Sequence, residues 1–385
     1  MVHQRYGPLE PSRRRTKPLL IAGGMIVSIV LVAAGVVLIN TPTGSRQQVR
    51  PDSGRKIGVS LSSKAAKPGG RRIGRVYAPY LANWADENLA SIARASGARY
   101  LVLPYLTTAR PGSCTLTWEG DPARVAVSSS LAAQFAQVRA LGGDVIPSFG
   151  GYLADKAGTD VADSCTSVPA IAAAYESVIA RYPVTRIDLD IEAASLTDRA
   201  GIIRRSAALA LAQRWASRAR PGLEIVVTFS GSPQGLNSAQ IAVLKSMIAY
   251  GVNVSAVNLL AYDYFGPRSS PPVDMAAAAI SGLQAAHGQL SQLYPKRSAA
   301  QLWSVLAVTV MPGIDDNPSK TEITYAPDAV KVLEFAREVG LAQVSIWSLD
   351  RDNGQCPGTA GSSTCSGIRQ PKWAFSRLLE AYPGT

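Results

Sequence analysis

The sequence predicts an α/β fold in which eight parallel strands alternate with helices. Strand-like and helix-like stretches alternate over residues 73–385, no long run of hairpins interrupts them, and this segment is long enough for one barrel-sized domain. An open, doubly wound sheet is the alternative, but no predicted strand is followed by a glycine-rich phosphate loop. We therefore expect a (β/α)8 TIM barrel over residues 73–385.

The predicted elements are apolar stretches bounded by turn-forming residues. The expected strands are Gly74–Tyr80, Arg99–Pro104, Asp144–Phe149, Val184–Ile191, Glu224–Phe229, Val254–Ala261, Trp303–Val310 and Gln343–Trp347. The expected helices are Asn88–Ala95, Leu131–Leu141, Ala170–Arg181, Ala200–Ala219, Ser238–Tyr250, Met275–Leu290, Asp328–Val339 and Lys372–Ala381.

An uncharged apolar run at residues 18–39 is long enough to cross a bilayer as a helix. It follows a basic tail at residues 1–17 and ends without a small-x-small cleavage site, which favours an uncleaved transmembrane signal-anchor over a cleaved secretory signal. The basic tail should stay in the cytoplasm. We therefore expect a single-pass protein of the cell membrane with an extracellular C-terminal domain, and a secreted protein is the alternative.

The net charge of +12 is concentrated before the predicted barrel. Residues 40–72 are rich in Ser, Gly, Pro, Lys and Arg and predict a flexible basic linker. Residues 1–72 hold 13 of the 39 basic and two of the 27 acidic side chains, which leaves a balance of +1 for residues 73–385. We therefore expect no nucleic-acid partner, and the basic segment should meet phospholipid headgroups or an anionic wall polymer.

An even number of cysteines in a segment expected outside the cell favours disulfides over thiol chemistry. The four residues are Cys114, Cys165, Cys356 and Cys365. The first pair lies in the loops after the second and third predicted strands, and the second pair brackets one short loop. No CxxC spacing occurs and the only histidines are His3 and His287, so we expect neither a metal nor another cofactor.

The most informative stretch carries three carboxylates at every second position, Asp188, Asp190 and Glu192. Successive side chains of a strand point to opposite faces, so these three should project together while the apolar residues between them project the other way. An edge strand with a solvated polar face is the alternative. Crowded carboxylates destabilise one another, which favours a functional role for them.

In a barrel of this kind the site forms at the carboxyl ends of the strands. Four predicted strands end in candidate site residues, namely Ser148-Phe149-Gly150-Gly151, Glu192, Tyr262-Asp263-Tyr264 and Trp347. The two glycines could also serve packing alone. Tyr80 and Trp84, near the end of the first strand, are expected in the core rather than in a subsite.

Carboxylates with aromatic neighbours suit a neutral, polyhydroxylated substrate, because sugar faces stack on aromatic rings while sugar oxygens form hydrogen bonds. Glycosidic cleavage needs a carboxylic acid that is still protonated near neutral pH. Crowding by Asp188 and Asp190 should raise the pKa of Glu192, which is the last carboxylate on the strand. The pattern therefore predicts a glycosidase with Glu192 as its general acid.

At these positions the chain resembles glycoside hydrolase family 18, which includes bacterial chitinases and endo-β-N-acetylglucosaminidases. The resemblance covers residues 73–385, and the matching motifs are Asp188-x-Asp190-x-Glu192, Ser148-x-Gly150-Gly151, Tyr262-Asp263 and Trp347. The chain departs from the family's usual Asp-Gly, glutamine and methionine at Thr185-Arg186, Asn258 and Leu260, respectively. The last two departures bear on the length and decoration of the substrate.

The resemblance implies hydrolysis of β-1,4-linked N-acetylglucosamine polymers or oligomers by substrate-assisted, retaining catalysis. Glu192 would protonate the glycosidic oxygen while the substrate's acetamido carbonyl attacks the anomeric carbon, which gives an oxazolinium intermediate. Asp190 would orient the acetamido group, and Asp188 would hold Asp190. Tyr262 would bond the acetamido group, and Trp347 would form the floor of the sugar subsite. The further substrate-binding residues expected are Ser148, Gly150, Gly151, Asn258 and Asp263.

Other functions stay open at this point. An endo-β-N-acetylglucosaminidase acting on glycans or wall saccharides is one alternative. A non-hydrolytic chitin-binding lectin is another, although such lectins typically lose one of the acids and this chain keeps all three. A wall-associated structural protein with vestigial chemistry is a third. We expect the chain to act as a monomer on a carbohydrate that contains N-acetylglucosamine.

Overall fold

The computed structural model describes residues 74–264, 272–317 and 321–383. The predicted cytoplasmic tail, signal-anchor and linker, at residues 1–17, 18–39 and 40–72, lie outside these ranges. Within the ranges, no helix is both long enough and apolar enough to cross a membrane.

The structure contains the eight predicted strands together with three short ones. In chain order the strands are β1 (Val76–Tyr77), β2 (Tyr100–Thr108), β3 (Leu116–Trp118), β4 (Asp144–Gly150), β5 (Arg186–Asp190), β6 (Glu224–Ser230), β7 (Ala256–Leu260), β8 (Leu306–Val310), β9 (Gly313–Ile314), β10 (Ile323–Thr324) and β11 (Gln343–Ile346). The large sheet has the order β1-β11-β8-β7-β6-β5-β4-β2-β3, and all its pairs are parallel except β2 with β3.

Backbone hydrogen bonds connect the first strand to the second and curl the sheet. Beyond β1, the N–H of Val102 donates to the carbonyl of Pro79 over 2.8 Å, and the N–H of Leu81 donates to the carbonyl of Val102 over 3.0 Å. Tyr80 bridges Val102 in parallel orientation. The α/β prediction is thereby confirmed as a TIM-barrel-like fold, and the carboxyl ends of the parallel strands meet at one mouth.

Helices follow the strands as the sequence pattern predicts. They are α1 (Leu89–Ser96), α2 (Ser129–Ala140), α3 (Tyr152–Ala157), α4 (Val161–Ser164), α5 (Val168–Arg181), α6 (Arg199–Ala219), α7 (Ser238–Ala249), α8 (Met275–Leu293), α9 (Ala299–Trp303), α10 (Ala326–Val339) and α11 (Ala374–Leu379). Side-chain caps set the start of several of them: Asn237 and Gln240, for example, cap the start of α7 reciprocally.

Several local elements depart from the sequence-based expectation. Trp303, expected in a strand, ends helix α9, because Ser298 and Gln301 form a capping box that starts a helical turn before β8. The loop after β4 folds into α3 and α4, and β9 pairs with β10 as an antiparallel pair after β8. Strand β2 runs four residues beyond the expected end at Pro104, as far as Thr108.

Buried polar side chains around Arg186 fill the amino-terminal end of the barrel. Arg186 is the second of the two residues, Thr185-Arg186, that replace the family's usual Asp-Gly. The Arg186 guanidinium donates to Glu224 Oε2 over 2.6 Å and to Gln343 Oε1 over 2.7 Å. These partners come from β6 and β11, so the guanidinium is paired inside the barrel, as a buried charge must be. Arg186 therefore contributes to the stability of the end opposite the mouth.

The two predicted disulfides are confirmed. Cys114, in the loop between β2 and β3, pairs with Cys165, which follows α4. Cys356 pairs with Cys365 in the segment after β11. The first bridge therefore ties together the loops that follow two neighbouring strands, β2 and β4, at the mouth of the barrel.

Candidate active site

Strand β5 carries its carboxylates as the alternation predicts. Asp188 and Asp190 are buried, and so are the apolar side chains of Ile187, Leu189 and Ile191. The strand ends at Asp190, but the N–H of Ile191 still donates to the carbonyl of Thr228 over 3.0 Å, and Glu192 keeps an extended backbone. Since β5 pairs with both β4 and β6, the solvated edge strand is excluded.

Asp188 is held by three hydroxyl groups from three other strands or strand ends. Its Oδ2 accepts from Ser148 Oγ over 2.6 Å and from Tyr80 Oη over 3.0 Å, and its Oδ1 accepts from Thr228 Oγ1 over 2.6 Å. Burial raises the pKa of Asp188, and the three hydroxyl donors act in the opposite direction. Asp188 is therefore a fixed carboxyl group at the centre of the barrel.

A second layer of polar residues continues from Thr228. Asn258 Nδ2 donates to Thr228 Oγ1 over 3.1 Å and to Thr309 Oγ1 over 2.9 Å. Asn258 and Ser148 have no accessible surface, so direct contact with a substrate, expected for both, does not fit this structure. We assign them instead to the support of Asp188, because Ser148 donates to Asp188 directly and Asn258 donates to Thr228, which in turn donates to Asp188.

The two aromatic residues expected in the core have different surroundings. Trp84 is packed edge-to-face against Trp118 at 4.9 Å between ring centroids, and its Nε1 donates to the carbonyl of Pro104 over 2.6 Å. It is a core residue, as predicted. Tyr80 is equally buried, but its hydroxyl bonds Asp188, so it belongs to the acidic site rather than to ordinary core packing.

Asp190 is bonded by a residue that the sequence analysis missed. The hydroxyl of Tyr105 donates to Asp190 Oδ2 over 2.8 Å, and Oδ1 has no hydrogen-bond partner in the described part of the chain. Burial raises the pKa of Asp190 well above its usual range, the charges of Glu192 and Asp188 raise it further, and the Tyr105 hydrogen bond lowers it. An aromatic residue directly after the expected end of the second strand was the available signal.

Gly150 and Gly151 let β4 approach Asp190 and Tyr105 closely. Both have positive φ, and a Cβ on Gly150 would lie 2.4 Å from the carbonyl oxygen of Asp190. A Cβ on Gly151 would lie 2.7 Å from the ring of Tyr105. The structure therefore gives both glycines a packing role, the alternative that the sequence left open, and we do not assign them a substrate contact.

Glu192 lies beyond the strand and is half-buried. Its Oε2 accepts from Ser230 Oγ, at the end of β6. Burial raises the pKa of Glu192, the Ser230 hydrogen bond lowers it, and the charge of Asp316, in the loop after β9, raises it again. The pKa of Glu192 is raised, as expected. The causes are burial and the charge of Asp316, whereas crowding by Asp188 and Asp190 was the expected cause.

Aromatic rings lie next to these carboxyl groups. Trp347, directly after β11, is half-buried, with its ring 6.0 Å from that of Tyr105 at an interplanar angle of 25° and 5.4 Å from that of Tyr80. Burial raises the pKa of Tyr262 well above its usual range, and the nearby charges of Glu192, Asp316 and Asp190 add to this. The Tyr262 hydroxyl therefore keeps its proton through neutral pH and can donate it in a hydrogen bond.

Asp263 organises a loop beside this site. Its backbone, at a φ of 51°, donates through N–H to Asp315 Oδ2 over 2.8 Å, and its Oδ1 accepts from the N–H of Asn317 over 3.1 Å. Burial and the charges of Asp316 and Asp315 raise the pKa of Asp263 to about 10. Its carboxyl group contacts the loop after β9, and a role in substrate binding stays a prediction.

The carboxyl groups do not form a metal site by their own geometry. Within residues 74–264, 272–317 and 321–383, no group of three or more His, Cys, Asp or Glu side chains is arranged to hold a metal ion. What the arrangement offers is proton chemistry: a half-buried carboxyl group with a raised pKa, a buried carboxyl group with one free oxygen, and two phenols that keep their protons.

Two curated proteins are similar to this chain, while no protein-family model matches it. A probable bifunctional chitinase/lysozyme of Escherichia coli K12 is 29% identical over 322 residues, which are 80% of this chain and 34% of that protein. Endochitinase 11 of Metarhizium anisopliae is 31% identical over 229 residues, which are 57% of this chain and 42% of that protein. The chain thus spans between about a third and two fifths of these relatives.

Solved structures share the fold over most of the described chain. The catalytic domain of a hyperthermophilic chitinase from Pyrococcus furiosus superposes with a TM-score of 0.68 at 26% identity. The match covers 83% of this chain and 99% of that domain. The similarity therefore extends over nearly the whole of that catalytic domain.

Proposed function

We propose that this chain, which is similar to chitinases and carries the acidic motif described above, is a family 18 glycoside hydrolase that hydrolyses β-1,4-linked N-acetylglucosamine polymers or oligomers. The observation that carries the proposal is the pairing of Glu192 with Asp190 at the barrel mouth. One carboxyl group is half-buried with a raised pKa, and the other is buried with one oxygen free of hydrogen bonds. This pair provides an acid for the leaving group and a partner for the acetamido group.

Glu192 acts as the general acid. Its raised pKa keeps a proton on the carboxyl group at higher pH than in an exposed glutamate, and its side chain is accessible from the mouth. The proton moves from Glu192 to the glycosidic oxygen as the bond from that oxygen to the anomeric carbon breaks. A water molecule later attacks the anomeric carbon, the bond from that carbon to the acetamido oxygen of the intermediate breaks, and a proton of the water passes to Glu192.

The nucleophile is the substrate's own acetamido carbonyl oxygen, which bonds the anomeric carbon to form the oxazolinium intermediate. Asp190 Oδ1 accepts the acetamido N–H, and the negative charge of Asp190 offsets the positive charge that develops on the ring. Tyr105 fixes the other oxygen of Asp190, and Asp188 limits the movement of Asp190. Tyr262 donates to the acetamido group, and Trp347 lies under the sugar ring.

Comparison of acetylated and deacetylated substrates tests this mechanism directly. The protein should hydrolyse chitooligosaccharides and should not hydrolyse glucosamine or cellulose oligomers of equal length, because these lack the acetamido carbonyl. A well-oriented intramolecular attack contributes roughly 7–11 kcal/mol to barrier lowering, so the difference should be large. A thiazoline analogue of the intermediate should inhibit competitively, and Asp190→Asn should weaken this inhibition. Equal turnover of acetylated and deacetylated oligomers contradicts the proposal.

The same assay separates the related substrate classes. A high-mannose glycopeptide incubated under the same conditions is cleaved if the chain is an endo-β-N-acetylglucosaminidase and stays intact if it acts on chitooligosaccharides alone. Binding of chitooligosaccharides without any product identifies a lectin and rejects the hydrolase proposal.

For the location of the protein we propose a single membrane anchor at residues 18–39 with the barrel outside the cell. The uncharged run and the preceding basic tail support this orientation. Two disulfides in the barrel suit an oxidising compartment. We propose a monomer as the active form, because one chain provides all the site residues described above.

A further inference from the structure

A cluster of buried charges lies behind Glu192. Asp155, on α3, is 1% exposed, and its Oδ2 accepts a hydrogen bond from the backbone N–H of Glu192. The backbone N–H of Asp155 in turn donates to the carbonyl oxygen of Gly151 over 3.0 Å. Asp155 therefore connects the end of β4 to the residue that follows the end of β5.

The rest of the cluster interacts with Asp155 through its charges. The guanidinium of Arg205, on α6, has no accessible surface; its Nη2 lies 2.8 Å from Asp160 Oδ1 and 3.3 Å from Asp163 Oδ1. Asp163 Oδ2 accepts from Ser195 Oγ, in the 3-10 helix that starts directly after Glu192. Helices α3, α4 and α6 thus meet around the backbone of residues 192–195.

We propose that Asp155 is a positioning residue for Glu192, whose backbone N–H it fixes so that the carboxyl group points into the barrel mouth. The inference rests on the proposed role of Glu192 as the general acid. It goes beyond the acidic motif, because Asp155 lies in the loop after β4 and touches neither Asp188 nor Asp190 by a hydrogen bond in the described chain.

The electrostatics indicate the protonation state in which Asp155 accepts the hydrogen bond from the Glu192 N–H. Burial raises the pKa of Asp155 well above its usual range, the charge of Asp160 raises it further, and the charge of Arg205 lowers it. Asp163 adds negative charge, and Tyr175 faces Arg205 from α5. The Arg205 guanidinium is the one positive charge beside the three carboxyl groups of Asp155, Asp160 and Asp163 in the described chain, so a negative charge on Asp155 is unfavourable there. These effects favour the protonated form of Asp155, whose Oδ2 accepts the hydrogen bond from the Glu192 N–H.

This charge state makes asparagine a faithful replacement and alanine a disruptive one. Asparagine has the shape of the protonated acid and retains a carbonyl oxygen as acceptor, whereas alanine leaves the Glu192 N–H without a partner. Asp155→Ala should lower kcat on chitooligosaccharides about ten- to hundredfold, with KM changed less than twofold. The reason is that misplacing a catalytic group by about 1 Å can reduce the rate by up to about a hundredfold. Asp155→Asn should restore kcat to within about threefold of the parental value.

Two variants serve as controls. Lys156→Ala changes the next residue of α3, outside the charge cluster, and should leave kcat unchanged. Asp163→Asn removes another buried carboxylate of the same cluster. Its main effect should be a lower melting temperature, and kcat should change little. If Asp155→Ala does not fold, Asp155→Glu, which moves the acceptor by one methylene, takes its place with the same expected loss.

Amide hydrogen exchange provides a measurement that does not depend on activity. The peptide amide of Glu192 should exchange slowly in the parental protein and in Asp155→Asn, and at least tenfold faster in Asp155→Ala. A parental protein without turnover rejects the proposed function, and the exchange rates still decide the role of Asp155. Unchanged exchange and kcat in Asp155→Ala, or a loss in Asp155→Asn as large as in the alanine variant, would overturn the inference.

Discussion

The hydroxyl oxygen of Tyr105 lies 2.8 Å from Oδ2 of Asp190, and the two residues are 85 positions apart in the chain. The ring of Tyr105 also lies 6.0 Å from the ring of Trp347. One side chain at the end of β2 therefore links the buried carboxylate of β5 to the aromatic residue after β11. Because Gly151 leaves room for this ring, the contact depends on the end of β4 as well.

Removal of the Tyr105 hydroxyl should raise the pKa of Asp190, since the hydrogen bond lowers it. In the proposed mechanism Asp190 works as an anion, so the acidic limb of the pH–kcat profile should move to higher pH in Tyr105→Phe. Loss of a hydrogen bond to a charged group costs about 1.5–3 kcal/mol, which corresponds to roughly a ten- to hundredfold fall in kcat. Steady-state kinetics from pH 4 to pH 9 measure both effects.

Tyr175→Phe is a matched control for this substitution. Tyr175 is also fully buried, and its hydroxyl has no hydrogen-bond partner in the described residues. Its removal should leave both the profile and kcat in place. An unaltered profile in Tyr105→Phe would contradict a role for this hydroxyl at Asp190.

Glu192→Gln should remove most turnover and leave binding of chitooligosaccharides intact. A general acid typically contributes about two to four orders of magnitude in rate, and the amide cannot transfer a proton to the leaving group. The Ser230 hydroxyl can still donate to the amide oxygen, so the fold should be preserved. Product analysis and calorimetric binding of the same oligomer test the two halves of this prediction. Near-parental activity would show that Glu192 is not the acid.

The free energy of unfolding should fall as the pH rises from about 4 toward 8. Burial raises the folded-state pKa of Asp155, Asp188, Asp190 and Glu192 above the values for unfolded chains, so the folded protein binds more protons in this range. Stability is then greatest below the unfolded-state pKa values, near about 4, and decreases as the pH rises from there toward the folded-state pKa values, because only the unfolded state releases protons in that range. Urea unfolding at several pH values measures the slope.

Asp263→Asn should make that slope shallower, because burial and its acidic neighbours raise the pKa of Asp263 to about 10. The residue as a whole is more than a third accessible although its carboxyl group contacts the loop after β9, so solvent screening limits the effect. Asp86→Asn, on an exposed position, is the matched control. A stability that increases steadily between pH 5 and pH 8 would contradict the protonation pattern.

The Cys114–Cys165 bridge should contribute more to stability than the Cys356–Cys365 bridge. Their sequence separations are 51 and 9, and loop entropy predicts about 4 and about 2.6 kcal/mol, respectively. Urea unfolding of the two double Cys→Ser variants should show this order. A larger loss from the short bridge would mean that local packing, not chain entropy, determines the effect.

The anchor prediction concerns residues 18–39. In intact cells, added protease should release the barrel by cutting within residues 41–72, and the intact N-terminus should stay with the membrane fraction. N-terminal sequencing of the cell-associated and secreted protein makes the measurement. A protein found only in the medium and starting after Asn40 would identify the run as a cleaved signal.

The sequence predicted the framework of the fold because the framework depends on local periodicity. The repeat of two in β5 placed Asp188 and Asp190 on one face and Leu189 on the other, and both faces are as predicted. Apolar stretches of strand and helix length gave all eight parallel strands, with ends displaced by a few residues. Trp303 was misplaced because its apolar neighbours in the chain fit a strand as well as a helix.

The surroundings of the acids were decided by tertiary structure. Tyr105 meets Asp190, and Asp155 meets Glu192 across 37 residues, only because neighbouring strands end at the same mouth and their loops fold back over it. Likewise Asp316, from a loop far along the chain, helps to raise the pKa of Glu192. From the sequence alone, the carboxylates nearest in the chain, Asp188 and Asp190, were expected to raise it. Local pattern fixes which side chains face inward, because backbone geometry alternates residue by residue. Burial, hydrogen-bond partners and pKa depend on distances through space, which only the closed packing of strands and loops determines.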